Sequence, residues 1–190
     1  MRRRSDWAAV ADERSTLADL LEGLADSEWA VHSLCPGWRV RDVAAHLTAP
    51  AAAPTPALDA RSKAQLVAEL RRPRPQRLLH RGGSPRDALV EVLVHGQDIA
   101  RPLGRERPMD PARAAVAARR VWSARPFRAS RRYPGIRFEA TDTELVLGDG
   151  TPVSGPAAAV LLTLTGRAAG LDDLSGHGIG LLQRAFSRPR

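Results

Sequence analysis

Cysteine, lysine, aromatic residues and long apolar runs are all scarce in this chain of 190 residues. The single cysteine, Cys35, excludes a disulfide framework and a zinc finger built on several cysteines. The longest apolar run, residues 157–162, is far too short to span a bilayer. No apolar segment of a signal peptide follows the basic residues 2–4. We therefore expect a cytoplasmic protein without membrane contact.

The scarcity of aromatic residues, 4% of the chain, leaves Ala, Leu and Val to build the core. The hydrophobic fraction of 43% and the charged fraction of 26% are typical of a soluble globular protein, which excludes wholesale disorder and a fibrous structure. The length fits one domain or two small ones. The formal net charge is +8, and because Lys63 is the only lysine, nearly all basic residues are arginines.

Helical spacing of apolar residues predicts four main helices in the first two thirds of the chain. They cover residues 5–24, 39–48, 84–101 and 110–122. A further short helix at 62–71 is predicted inside a loop, residues 50–83. The helix at 84–101 is apolar on nearly every face, so we expect it to be buried. This order of helices predicts an up-and-down four-helix bundle.

After Gly135 the pattern changes from helical spacing to alternation, which is typical of strands. Strands are predicted at 136–140, at 143–147 and from Val153. Helices are then predicted at 157–167, with Ser154 as the cap, and at 179–186. We therefore expect a mainly α protein with two domains, a helix bundle over 1–125 and a small α/β appendage over 133–190.

Glu91 and His95 lie four residues apart on the predicted buried helix, so their side chains share one face. A buried carboxylate without a partner is costly, so Glu91 requires either an ion pair with an arginine or a metal ion. His46, on the second helix, is either a core histidine or a third ligand, since metal ligands in bundles project inward from facing helices. As a set, His46, Glu91 and His95 would leave one coordination position open, as catalytic zinc sites do.

Several other residues have two interpretations each. Asp42 and Asp98 could each orient a metal-bound imidazole by a hydrogen bond to its non-ligating nitrogen. The preferred interpretation is that both are charges on a solvated helix face. Cys35 could be a fourth ligand or a redox thiol, but a small turn residue beside Pro36 is favoured. The remaining histidines, His32, His80 and His177, are expected at the surface.

Two motifs carry a resemblance to a known family. Residues 33–47, SLCPGWRVRDVAAHL, and residues 93–104, LVHGQDIARPLG, resemble two signatures of the mycothiol-dependent maleylpyruvate isomerase family, a branch of the DinB-like superfamily. The resemblance implies a DinB-like bundle and a divalent ion, usually zinc, held by His46, Glu91 and His95. It also implies that mycothiol, a low-molecular-weight thiol, is activated on zinc as a cosubstrate to isomerise or conjugate a small electrophile. Arg167 matches the arginine that binds a substrate carboxylate in that family.

Two other functions stay open. The arginines at 71–81 and 119–132 could bind nucleic acid by neutralising phosphates. Aromatic residues are rare among these arginines, and the sequence has no nucleic-acid-binding motif. We therefore do not expect nucleic acid as a partner. The other possibility is a metal-holding scaffold that does not catalyse a reaction. The loop at 50–83 is rich in Pro and Arg where the family carries a longer apolar loop, so the resemblance does not identify the substrate of this chain.

Overall fold

The computed structural model describes residues 2–49, 60–72, 84–123 and 129–187. The chain divides into two compact units, Met1–Pro108 and Met109–Arg190. Within the described residues the first unit is helical, and the second combines helices with one small sheet. No helix in these ranges is both long and apolar enough to cross a membrane.

In its described residues, the first unit contains four α-helices. They are α1 (Arg2–Glu22), α2 (Val40–Thr48), α3 (Lys63–Arg71) and α4 (Pro85–Ala100). Helix α1 packs against α3 and α4, and α2 packs against the same two helices, so the four share one core. Short 3-10 helices also lie at Glu28–Ala30 and Arg101–Leu103.

Helix α4 is the centre of this unit and is buried along most of its length, as the sequence predicted. Its start is defined by Pro85 at the first helical position, where the fixed backbone angle of proline suits a helix and the missing N–H is not needed. Fully buried aliphatic side chains of this unit include Leu93 and Ile99 of α4 itself and, on the other three helices, Leu17, Leu21, Val43, Leu66 and Leu70. Because α4 carries Glu91 and His95 and packs against α2, the core sets the distance of these residues from His46.

A buried arginine on α1 fixes the ends of two neighbouring helices. Arg14 donates one hydrogen bond to the carbonyl of Leu47 (2.9 Å) and another to the carbonyl of Glu69 (3.1 Å). These carbonyls belong to the last turns of α2 and α3, where a cation interacts favourably with the helix dipole. Leu47 follows His46 directly in the chain, so the hydrogen bond from Arg14 stabilises the turn of α2 that carries this histidine.

The second unit contains four α-helices and three strands in its described residues. The elements are α5 (Pro111–Ser123), α6 (Ala129–Arg132), β1 (Ile136–Ala140), β2 (Val146–Leu147), β3 (Thr151–Gly155), α7 (Ala157–Leu164) and α8 (Ile179–Phe186), with a 3-10 helix at Ala168–Asp173. The strand order is β2–β1–β3, with β1 antiparallel to β2 and parallel to β3. Buried Phe138 pairs with Leu147 on one side and Val153 on the other.

The mainly α fold with a small C-terminal sheet is confirmed, but the helices are grouped differently from the prediction. The fourth helix of the first unit is α3, which was predicted only as a short helix within a loop. Helix α5, predicted as a bundle helix, packs against α7 in the second unit, and the first unit ends at Pro108 rather than near residue 125. The reason is the buried face of α5, formed by Ala114, Ala117 and Val121, which the apolar α7 covers.

Helix α7 begins at Ala157 as predicted, but its cap differs from the prediction and it ends at Leu164 instead of Arg167. Ser154 lies inside β3 and does not cap the helix, which begins at Ala157 after Pro156. The first amide of α7 is satisfied instead by Asp142, whose carboxylate oxygen accepts a hydrogen bond of 2.9 Å from Ala157 N–H. Sequence spacing does not reveal a cap that comes from a residue so far away in the chain.

Some predicted features lie outside the described residues. They are most of the loop predicted at 50–83, His80, and the arginines Arg74, Arg77, Arg81, Arg125 and Arg128.

Candidate metal centre

The three predicted ligands come from two neighbouring helices of the first unit. His46 lies in the last turn of α2, and Glu91 and His95 lie one turn apart on α4. Since α2 packs against α4, the side chains of all three meet on the inner side of this pair. One ligand atom from each residue lies within 4.8 Å of the other two.

Glu91 is the centre of this group. Its Oε2 atom lies 3.3 Å from Nε2 of His46 and 3.3 Å from Nε2 of His95. The two imidazole rings meet edge to face, with their centroids 5.1 Å apart. Two imidazole nitrogens and a carboxylate oxygen that point at one spot form a donor set suited to zinc and similar divalent ions.

The buried carboxylate of Asp98 contacts Nδ1 of His95, the ring nitrogen that does not face Glu91. Oδ2 of Asp98 lies 2.9 Å from Nδ1 of His95, and the Asp98 side chain has 0% exposure. An ionised carboxylate only accepts hydrogen bonds, so this contact places a proton on Nδ1. The same arrangement, in which a carboxylate orients the non-ligating nitrogen of a histidine, is common behind metal ions. Asp98 is therefore not the solvated helix-face charge that the sequence favoured.

Cys35 and Trp38 contact the group from a turn that precedes α2. The thiol of Cys35 donates to Oδ2 of Asp98 at 3.1 Å, and its sulfur lies 3.6 Å from Nδ1 of His95. The ring of Trp38 meets the ring of His46 edge to face at 5.2 Å. Cys35 is thus a turn residue, as predicted, and its thiol also belongs to the surroundings of the site.

The pKa of His95 is raised well above its ordinary value. Burial of the ring lowers this pKa, because a charged imidazole is poorly solvated there. The hydrogen bonds with Asp98 and Cys35, followed by the hydrogen bond and charge of Glu91, favour the protonated ring and outweigh burial. In the metal-free protein, a proton therefore occupies the place that a divalent ion would take.

Exposure decreases across the group from His46 to His95. The side chain of His46 is 40% exposed, that of Glu91 30% and that of His95 14%. The site is consequently open to solvent on the His46 side and closed on the Asp98 side.

Other predicted residues lie elsewhere. Asp42 accepts a hydrogen bond of 2.8 Å from the backbone N–H of Arg39, so it caps α2 and does not orient an imidazole. Arg167 follows α7 in the second unit, where its guanidinium donates to the carbonyl of Thr165 at 2.9 Å. His32 and His177 are exposed, as expected.

Arg71, one of the predicted basic cluster, pairs with two carboxylates of α1. Its guanidinium lies 2.6 Å from Asp19 and 2.7 Å from Glu22. At least this arginine of the cluster therefore forms intramolecular ion pairs at the protein surface.

The sequence analysis favoured a surface position for Asp98 over a contact with a ligand. It did not predict the contacts of Cys35 and Trp38 with the site. A signal for Asp98 was present, because residues three apart on a helix are neighbours and Asp98 follows His95 at that spacing. No such signal exists for Cys35, because the two residues that its thiol contacts are 60 and 63 residues away along the chain.

Comparisons with known proteins point to one family. Residues 10–81 match the model of the mycothiol maleylpyruvate isomerase N-terminal domain. The match contains His46 and ends before Glu91 and His95. No curated protein matches the chain.

Two solved structures resemble the chain at low identity. A crystal structure of the mycothiol-dependent maleylpyruvate isomerase shares 13% identity over 93% of both chains, with a TM-score of 0.49. A crystal structure of a histidine-to-alanine mutant of that enzyme shares 12% identity over 93% of both chains, with a TM-score of 0.46.

Proposed function

We propose that this protein, whose residues 10–81 match the model of the mycothiol maleylpyruvate isomerase N-terminal domain, is a metal-dependent enzyme that uses a low-molecular-weight thiol. The thiol is mycothiol, and the second substrate is a small electrophile. The reaction is an isomerisation or a conjugation that begins with attack of the thiol sulfur on an electrophilic carbon.

The observation that carries this proposal is the convergence of His46, Glu91 and His95. Nε2 of each histidine lies 3.3 Å from one oxygen of Glu91, and that carboxylate is partly buried. The donor set fits a divalent ion, and Asp98 already holds the far nitrogen of His95. His46 and His95 through Nε2, and Glu91 through Oε2, would hold the ion.

A bound divalent ion such as zinc lowers the pKa of a coordinated thiol, so that the thiolate nucleophile is available at neutral pH. The chain contributes three ligands, which leaves a position for one further donor. The exposed edge at His46 is the side from which that donor would enter. Asp98 keeps the proton on Nδ1 of His95, so that Nε2 remains available as a ligand.

Arg167 is proposed to bind a carboxylate of the electrophile, as the family resemblance implies. A guanidinium presents parallel N–H donors that match a carboxylate. Arg167→Gln should raise KM for a carboxylate-bearing electrophile, leave KM for an uncharged one unchanged, and leave zinc affinity unchanged. Equal effects on both electrophiles would remove Arg167 from the substrate site.

The test of the function is a calorimetric titration of mycothiol into the zinc-loaded protein, with the metal-free protein and a His95→Ala variant as controls. Binding should require zinc and should be lost in the variant. A panel of small electrophiles, followed by mass spectrometry, then identifies an isomer or a thiol conjugate. If the zinc-loaded protein fails to bind the thiol, the enzyme proposal is wrong and the protein is a metal-holding scaffold.

A further inference from the structure

The turn that precedes α2, residues 33–38, is a closed unit with its own hydrogen bonds. The backbone N–H and the hydroxyl of Ser33 both donate to the carbonyl of Trp38 at 2.9 Å. Trp38 N–H donates to the carbonyl of Cys35 at 3.0 Å. Gly37, with a φ of 78°, takes the left-handed conformation that this tight turn requires.

This turn is attached to α4 at Asp98 by two bonds. Leu34 N–H donates to the backbone carbonyl of Asp98 at 3.1 Å, and the Cys35 thiol donates to its carboxylate oxygen Oδ2 at 3.1 Å. The same oxygen lies 2.9 Å from Nδ1 of His95. A single buried oxygen atom therefore accepts from the thiol and from the imidazole.

A carboxylate on an aspartate rotates easily, because its terminal torsion has broad minima. The hydrogen bond to His95 limits this rotation, and a second donor limits it further. The second donor, fixed in a closed turn, restricts Oδ2 to one position. Since the plane of the His95 ring follows the position of Oδ2, the thiol also restricts where Nε2 points.

Resting on the metal site proposed above, we propose that Cys35 is a positioning residue, which acts through Asp98 to fix the ring of His95 toward the ion. The geometry separates this role from that of a ligand in the same site. The Cys35 sulfur lies on the Nδ1 side of His95, 3.6 Å from that nitrogen, whereas Glu91 lies on the Nε2 side. The thiol supports the ligand from the opposite edge of the ring.

The experiment compares the wild type with Cys35→Ala, which removes the donor, and Cys35→Ser, which keeps a hydroxyl donor. Zinc affinity is measured by competition with a chromophoric chelator. Loss of a group that supports a metal ligand lowers affinity about 10–100-fold. We expect about tenfold for Cys35→Ala, because the thiol acts through one further residue, and a much smaller loss for Cys35→Ser. Equal affinities for all three proteins, or equal losses in both variants, would overturn the proposal.

A second readout does not need the metal. The Nδ1 proton of His95 should give a hydrogen-bonded NMR signal in the metal-free protein, and its exchange with water should speed up in Cys35→Ala and recover in Cys35→Ser. If the wild type fails to bind zinc while this signal responds, the metal site is wrong, and only the part of the proposal by which Cys35 fixes the His95 ring through Asp98 stands. If zinc binds and the signal is unaffected by Cys35→Ala, the positioning role is wrong and the metal site stands.

Discussion

Nδ1 of His95 lies 2.9 Å from a carboxylate oxygen of Asp98 that has no exposure to solvent. Because of this contact, the two nitrogens of the His95 ring have different roles. Nδ1 carries the proton and faces the core, while Nε2 faces Glu91 at 3.3 Å. A ring held in this way needs little reorganisation to bind an ion, which is the advantage of support behind a metal ligand.

Zinc affinity should increase with pH, because a proton and a metal ion compete for Nε2 of His95. The pKa of His95 is raised well above its ordinary value, mainly because its hydrogen bonds outweigh the effect of burial, which lowers it. Below that pKa the ring must release one proton to bind zinc, so affinity should rise about tenfold per pH unit.

Calorimetry in buffers of different ionisation enthalpy measures the number of protons released. At least one proton should leave on zinc binding at neutral pH. An affinity that stays constant between about pH 6 and 8 would contradict this account of His95.

Trp38 should report occupancy of the site through its fluorescence. Its ring meets the His46 ring at 5.2 Å, and indole emission responds to a change of charge on a neighbouring imidazole. Zinc should therefore change the emission of the wild type. The change should be lost in Trp38→Phe, which keeps the edge-to-face contact and zinc binding.

Trp122→Phe is the matched control, since Trp122 lies in the second unit against Phe138. This variant should retain the change in emission. A zinc response that survives Trp38→Phe and disappears in Trp122→Phe would place the ion elsewhere.

Gly96 should not tolerate a side chain, although it lies inside a helix where alanine is normally better by about 1 kcal/mol. A Cβ atom there would lie 2.9 Å from Nε of Arg107. That guanidinium cannot move away easily, because it is buried and paired with Glu13 at 2.9 Å. We expect Gly96→Ala to lower the free energy of unfolding by about 1–3 kcal/mol, as overpacking does in cores.

Urea denaturation measures this effect, and Gly180→Ala serves as the control. Gly180 is also helical, but the nearest atom to its added Cβ, on Arg184, would be 3.6 Å away, which is an ordinary contact. That variant should be unchanged or more stable. In an Arg107→Ala background, the cost of Gly96→Ala should disappear, and a cost that persists there would show that Arg107 is not the cause.

Local signals in the sequence were sufficient to predict most helices. Pro85 begins α4, and Ser62 caps α3 by accepting a hydrogen bond from Gln65 N–H, both within one turn of the predicted helix ends. The spacing of Glu91 and His95 placed them on one face of α4. These features depend on residues that are close in the chain, so the sequence alone contains them.

Features that depend on distant residues were not predictable in the same way. The helix that begins at Pro111 has an apolar face that suits a bundle, and only the structure shows that α7 covers it. Asp98 looks like a surface charge until the turn that carries Cys35 covers it. In both cases the covering segment is determined by tertiary packing. Local sequence patterns do not predict such contacts.

The most direct test of the central claim is the metal content of the purified protein after incubation with zinc and removal of excess ion. The wild type should hold about one zinc per chain, as a site with three protein ligands and one open position does. His46→Ala and Glu91→Gln should lose it, and His177→Ala, at an exposed histidine of the second unit, should keep it. Equal zinc content in the wild type and in His46→Ala would contradict the site.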